Sequence, residues 1–297
     1  MEPTHTEHEY EARSAAQRER RNQPRAEQLE TIETELLLEG VFRQYGFDFR
    51  EYAPASLKRR LWRRVRAEKL ASIAGLMELV LHDPEAMQRL LLDLSINVTS
   101  MFRDPSFYVA FREKVVPLLH TYPFTRIWHA GCSTGEEVYS MAILLQEEGL
   151  YDRTRIYATD MNEAVLEQAK AGVFPLEHMQ AYTENYIRAG GKRAFSEYYI
   201  AKYGGALFSR SLTENVVFAR HNLATDTSFN EFNVIVCRNV MIYFDLSLQD
   251  RVHDLFFESL ARLGVVALGN KESIRFSRHE AEYEVLDRTE KIYRRHS

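Results

Sequence analysis

Four short polar runs in this 297-residue chain group residue types that seldom stand together unless something binds between them. The first is Arg126-Ile-Trp-His-Ala-Gly-Cys-Ser-Thr-Gly-Glu-Glu-Val-Tyr. It reads as an apolar strand running into a glycine-bracketed loop and then a helix, whose first turn carries unpaired N–H groups. Gly131 and Gly135 form Gly-x-x-x-Gly, which is not the Gly-x-Gly-x-x-Gly of a dinucleotide site. No Lys follows the last glycine, as a triphosphate loop requires. Glu136 and Glu137 repel a pyrophosphate and suit a cationic or amino-bearing ligand such as a sulfonium.

The second run, Ala158-Thr-Asp, puts Asp160 at the end of an apolar stretch. Open sheets take ligands at that edge, where a carboxylate accepts from both hydroxyls of a ribose; the competing role is a cap for the helix expected after Asn162. The third run, Phe232 to Asp245, is a buried strand followed at once by Arg238 and Asn239 and then by Tyr243. An Arg and an amide directly beyond a core strand need polar partners, so these residues are expected to line a site. The fourth, Asn97-Val-Thr-Ser-Met-Phe-Arg-Asp, collects Asn97, Thr99 and Arg103 at a junction that either caps a helix or closes a cleft.

Positioning these groups requires strands that alternate with helices. Ile127–Ala130, Ile156–Thr159, Val234–Cys237 and Val265–Gly269 are short apolar runs, with helices expected over 136–148 and after Asn162. The expected fold is therefore α/β, with a mostly parallel sheet buried on both faces. A Gly204-Gly205 pair suggests a small antiparallel β insertion over about 198–220, and residues 282–294 read as a terminal hairpin. Upstream, apolar residues at helical spacing over 29–45, 54–70, 72–81 and 84–95 predict a small all-helical domain spanning 29–96. Ser56 is placed to cap the second helix and Asp83 the fourth. Residues 97–125 read as a linker and cleft-closing segment, and 126–297 as the ligand-binding domain. Residues 1–28 hold no Val, Ile, Leu, Phe or Trp and read as a disordered tail, with any helix confined to its end.

Composition narrows the classes. The chain is 45% hydrophobic and 27% charged, as in an ordinary globular protein. Its longest apolar runs fall far short of the roughly 20 residues of a membrane span. The polar start lacks a secretory signal, so a cytoplasmic location is expected. Cys132 and Cys237 match neither a disulfide framework nor a metal-ligand spacing. The run Leu57-Lys-Arg-Arg-Leu-Trp-Arg-Arg-Val-Arg puts Leu57, Leu61 and Val65 on one helix face and Arg59, Arg63 and Arg66 on the other. A net charge of −5 with one basic helix lacks the footprint of a nucleic-acid binder.

Taken in order, Asn-Val-Thr-Ser-Met-Phe-Arg (97–103), Cys-Ser-Thr-Gly-Glu-Glu (132–137), Ala-Thr-Asp (158–160) and Cys-Arg-Asn-Val-Met-Ile-Tyr-Phe (237–244) resemble the CheR family over roughly residues 30–295. These are S-adenosylmethionine-dependent methyltransferases that esterify glutamate side chains of bacterial chemoreceptors. The resemblance implies a Rossmann-like class I methyltransferase domain and cofactor contacts at Asn97, Thr99, Arg103, Glu137, Asp160, Asn222, Leu223, Arg238 and Asn239. It yields S-adenosylhomocysteine as product, calls for no metal, and makes the cytoplasmic domain of a chemoreceptor the partner. Arg59, Arg63 and Arg66 would then attract its Glu-rich methylation helices. Whether the β insertion grips a receptor C-terminal peptide stays open. Two positions depart from the family pattern: Met101 stands for the usual Phe and Val138 for the usual Pro.

A substrate Glu, with a reference pKa near 4.3, is already a carboxylate at neutral pH and needs no general base. Arg103 and Tyr243 are therefore expected to orient the reacting ends. The rival reading is a cofactor-binding regulatory or scaffold protein that transfers no methyl group.

Overall fold

The computed structural model describes residues 5–95, 99–202, 204–275 and 277–296, with side chains from Arg25 onward. It divides into two compact units: Met1–Arg50 with Pro54–Leu94, and Glu51–Ala53 with Ser95–Ser297.

The first unit is helical: α1 (His5–Tyr45), α2 (Pro54–Ala67), α3 (Ile73–His82) and α4 (Pro84–Leu94). Leu37, Leu38 and Val41 of α1 are buried, as are Leu57, Leu61 and Val65 of α2, the stripe that the spacing picks out. Asp83 caps α4 by accepting from Glu85 N at 2.8 Å. Two expectations fail here. Helical backbone begins at His5, inside the stretch read as a tail. That stretch is poor in apolar residues but rich in Ala, Glu, Gln and Arg, strong helix formers, so low apolar content spoke against a buried face and not against a helix. Ser56 does not precede α2, which starts at Pro54; its hydroxyl instead accepts from Arg60 Nη2 at 2.9 Å.

The second unit opens with α5 (Pro105–Lys114) and α6 (Val116–Leu119). Phe107, Tyr108, Phe111 and Val115 are buried in its main core, so the stretch read as a linker is part of that core. There follow β1 (Thr125–Ala130), α7 (Glu136–Glu147), β2 (Thr154–Asp160), α8 (Glu163–Ala171), β3 (Val173–Pro175), α9 (Met179–Arg188), β4 (Tyr199–Lys202), β5 (Gly205–Phe208), β6 (Val216–Arg220), β7 (Phe232–Cys237), α10 (Leu246–Ser259), β8 (Leu260–Leu268), β9 (Tyr283–Asp287) and β10 (Ile292–Arg295).

Seven strands form one sheet in the order β6-β2-β1-β7-β8-β10-β9. Pairing is parallel from β6 to β8, and β10 runs antiparallel to both of its neighbours. Along β1, Ile127 joins the core on the α7 side, while Trp128 and Ala130 join the core under α10. This burial of both faces explains why the central strands read as continuous apolar runs. The chain winds outward one way through β2 and β6 and the other way through β7 and β8. The crevice for a ligand therefore opens at the carboxyl ends of β1 and β7.

The β insertion needs its limits corrected. Its three-stranded sheet, β3-β5-β4, begins at Val173 and ends at Phe208. β6 lies outside it and pairs in parallel with β2, Ile156 opposite Val216 through Asp160 opposite Arg220. A Val-rich run beside a Gly-Gly turn looks like the second arm of a hairpin, and nothing local in it reveals a parallel partner far upstream.

Candidate functional site

The loop from β1 to α7 is bent by left-handed backbone at Gly131 (φ 80°), Ser133 (φ 52°) and Gly135 (φ 96°). A Cβ at Gly131 would sit 2.6 Å from Val240 Cγ2, and one at Gly135 would sit 2.8 Å from Ala169 Cβ. The glycines are thus needed to seat the loop against the segment after β7 and against α8, as well as for their backbone angles. Gly131 N and Cys132 N both donate to Thr159 O, at 2.9 and 2.8 Å, which binds the loop to the end of β2.

Asp160 is buried at that end. Its two carboxylate oxygens accept from Ser133 N and Asn162 N, each at 3.0 Å. The helix cap is a different residue: Asn162 Oδ1 accepts from Ala164 N at the start of α8. Burial pushes the Asp160 carboxyl above its ordinary range, against the pull of the backbone N–H groups. His221 N donates to Asp160 O at 3.1 Å, which brings Asn222 and Leu223 to the same edge. Asn222 folds into a turn there, its Oδ1 accepting from Ala224 N at 3.0 Å, and Leu223 is buried.

A charged cluster occupies the other side of the loop. Arg238, at the end of β7, has a side chain only 1% exposed. It donates to Glu137 Oε2 at 2.9 Å and to Asp104 Oδ2 at 2.8 Å, reaches Arg103 O at 3.3 Å, and stacks 4.1 Å from the centre of the Phe107 ring. Glu137 Oε1 meets His129 Nδ1 at 3.1 Å. Burial would raise the Glu137 carboxyl, but His129 and Arg238 outweigh it and hold the group below its ordinary range. The carboxylate is therefore ionised. With two hydrogen bonds made, one on each oxygen, it keeps acceptor capacity for a further donor.

Beyond Arg238 the chain turns sharply, with Asn239 at φ 61°. The N–H groups of Asn239, Val240 and Met241 converge on the buried carboxylate of Glu272, at 2.9, 2.8 and 2.8 Å, and Gly269 N joins them. Burial raises the Glu272 carboxyl while these four donors oppose the rise. Sequence reasoning missed Glu272. Its only local signal is a glutamate shortly after the strand β8, which is uninformative without the facing turn. Tyr243 is half-buried, and its carbonyl accepts from Ala53 N at 2.9 Å. Asp245 N donates to Glu51 O at 2.9 Å, and the Tyr52 ring rests against Phe244 with centroids 5.0 Å apart. Residues 51–53 thus brace the segment that carries Tyr243.

Glu137 and Arg238 share one network, which Arg103 joins through its backbone carbonyl; Asp160, Asn222 and Leu223 share the neighbouring edge, and Asn239 N donates to Glu272. Thr99 is half-buried, and Asn97 lies outside the described residues. Met101 and Val138 are both fully buried, and α7 starts at Glu136 without a proline in its first turn. Of the basic face, Arg59 and Arg66 are exposed and Arg63 is exposed but tied to Asp93 at 2.6 Å. Among the described residues no cluster of His, Cys, Asp or Glu is arranged to hold a metal, and no helix is long and apolar enough to cross a membrane. Cys132 and Cys237 are free and buried.

An ionised carboxylate with spare lone pairs, a second carboxylate at the adjoining strand end and a glycine-lined helix start fit an amino acid joined to a nucleoside. Comparison with known proteins agrees. Residues 97–292 match the CheR methyltransferase, SAM binding domain, and residues 32–95 match the CheR methyltransferase, all-alpha domain. The chain is 50% identical to Cher3 of Pseudomonas putida, named as a methyltransferase, over 89% of this chain and 97% of that protein. It is 32% identical to chemotaxis protein methyltransferase 2 of Pseudomonas aeruginosa, over 81% and 86% of the two chains. The chemotaxis protein methyltransferase of Escherichia coli is 28% identical, over 84% and 86%.

Proposed function

Because this chain belongs to the CheR methyltransferase family and carries its S-adenosylmethionine-binding domain, we propose that it methylates glutamate side chains on the cytoplasmic domains of chemoreceptors. The observation that carries this reading is the Glu137–Arg238 pair at the sheet's switch point, with Asp160 at the next strand end. The relatives named as chemotaxis methyltransferases support the choice of substrate.

In this reading Glu137 accepts from the cofactor's ammonium group, and Asp160 accepts from its ribose hydroxyls. Asn222 and Leu223 flank the adenine. Asn97, Thr99 and Asn239 complete the lining. When bound, S-adenosylmethionine would supply a sulfonium methyl group for in-line transfer to a glutamate carboxylate oxygen, with S-adenosylhomocysteine leaving as the thioether and keeping the C–S electron pair. Arg103 and Tyr243 orient the carboxylate. Attack joins an anion to a cation and disperses charge, so excluding water from the nucleophile assists. Arg59 and Arg66 on α2, with Arg63 contributing less, attract the acidic receptor helices. The cytoplasm is the compartment where those helices lie.

Incubation with radiolabelled methyl donor and receptor cytoplasmic fragments tests the reading. Base-labile label on glutamate supports it. Cofactor uptake without transfer supports a regulatory binding protein instead.

A further inference from the structure

His129 is the next-to-last residue of β1, an interior strand of a sheet buried on both faces, and is 1% exposed. A polar ring in that position costs free energy unless its nitrogens are paired. Nδ1 meets Glu137 Oε1 at 3.1 Å, and Nε2 is buried with no hydrogen-bond partner among the described residues. Leu or Phe would fill the space without leaving such an atom. The contact with Glu137 is therefore the one polar return for placing histidine there.

The chemistry of the pair places a proton on Nδ1. Glu137 is ionised and has no proton to offer, so the contact is a hydrogen bond only when Nδ1 carries the proton. Each oxygen of Glu137 is then held by a different strand: Oε1 by His129 on β1 and Oε2 by Arg238 at the end of β7. A carboxylate gripped at both oxygens cannot rotate about its terminal bond. Its remaining lone pairs face a set direction from the first turn of α7, and the N-terminal end of a helix favours its negative charge.

We propose that His129 is a positioning residue for this site, orienting the Glu137 carboxylate toward the ammonium group of the cofactor. The inference rests on the methyltransferase reading above. It assigns His129 a role in cofactor affinity, with no contact to the reacting carbon.

Calorimetry on the full-length chain tests it with two compounds, S-adenosylhomocysteine and 5′-methylthioadenosine. The second keeps the nucleoside and thioether but has no ammonium group. His129→Leu is expected to weaken S-adenosylhomocysteine about tenfold, the scale of one charge-assisted hydrogen bond, and to leave methylthioadenosine unchanged. His129→Asn, which keeps an N–H donor near the Nδ1 position, should recover most of the loss. Equal weakening of both compounds, or none of either, overturns the proposal. A wild-type protein that takes up neither compound instead overturns the cofactor reading itself. A measurement without substitution stands beside these: ¹⁵N NMR of the wild-type imidazole should show a protonated Nδ1, and a bare Nδ1 would sink the assignment.

Discussion

Arg238 Nη1 donates to Glu137 Oε2 at 2.9 Å, and this one contact joins the end of β7 to the first turn of α7 across the point where the sheet reverses its winding. Arg238 also holds Asp104 and lies over Phe107, so a single buried cation serves three elements. Arg238→Ala leaves the partly buried Glu137 carboxylate with His129 as its remaining partner and should cost on the order of 3 kcal/mol, read as a lower urea midpoint. Arg238→Lys should recover little, since a point charge cannot make the forked contacts.

The two carboxylates of the site should separate by ligand. Asp160→Ala is expected to weaken S-adenosylhomocysteine and 5′-methylthioadenosine alike, by roughly tenfold or more, because both carry the ribose. Glu137→Gln should weaken only the first. Calorimetric titration of both variants checks this, and a Glu137→Gln protein that loses both ligands would reverse the assignment.

Tyr243→Phe and Arg103→Ala should slow single-turnover methylation of a receptor fragment while the affinity for S-adenosylhomocysteine falls less. An orienting group contributes to k at the chemical step, with losses typically of about 10- to 100-fold. Unchanged rates in both variants would remove the orienting role.

On α2 the expected order is set by pairing. Arg59→Glu and Arg66→Glu should each raise KM for receptor fragments and flatten its dependence on salt, because both side chains are exposed. Arg63→Glu should do less to KM and more to stability, since it places a carboxylate against Asp93. Arg60, buried and donating to Leu94 O at 2.6 Å, is a folding residue and should lose stability first.

Acid stability should depend on Glu147, which accepts from Tyr198 Oη at 2.9 Å, Lys192 N at 2.9 Å, Tyr186 and Arg112. Burial raises this carboxyl, but those donors outweigh it and hold the group below the unfolded value of 4.5. Its contribution is thus fully present above pH 4.5 and is lost as pH falls through the lower, folded value. Glu147→Gln should reduce stability at pH 7 by about 2 kcal/mol and shrink the loss seen on acidification, as urea midpoints at pH 7 and pH 4 would show.

Much of the molecule was legible in one dimension. The strands β1, β2, β7 and β8, the helix after Gly135 and the stripe of Leu57, Leu61 and Val65 follow from local periodicity, because a buried face repeats at the period of its element. Asp160 and Arg238 stood out as polar residues at the ends of apolar runs, where packing does not call for them, and Glu137 as an acidic group directly after a glycine-bracketed loop. Family motifs carried the cofactor and the class of reaction.

Tertiary structure alone decided the partners. Periodicity reports that a face is buried but not what covers it, so β6 could be assigned to the main sheet only from its register with β2. Glu272 owes its role to the turn at 239–241, far upstream in the chain, and His129 owes its role to the first turn of α7, which the glycine-bent loop folds back against β1. Arg63 and Arg59 look alike in sequence and differ only because Asp93 folds back beside one of them. Hydrogen bonds and ion pairs depend on distances of about 3 Å, and such distances between remote residues exist only once the chain has closed on itself.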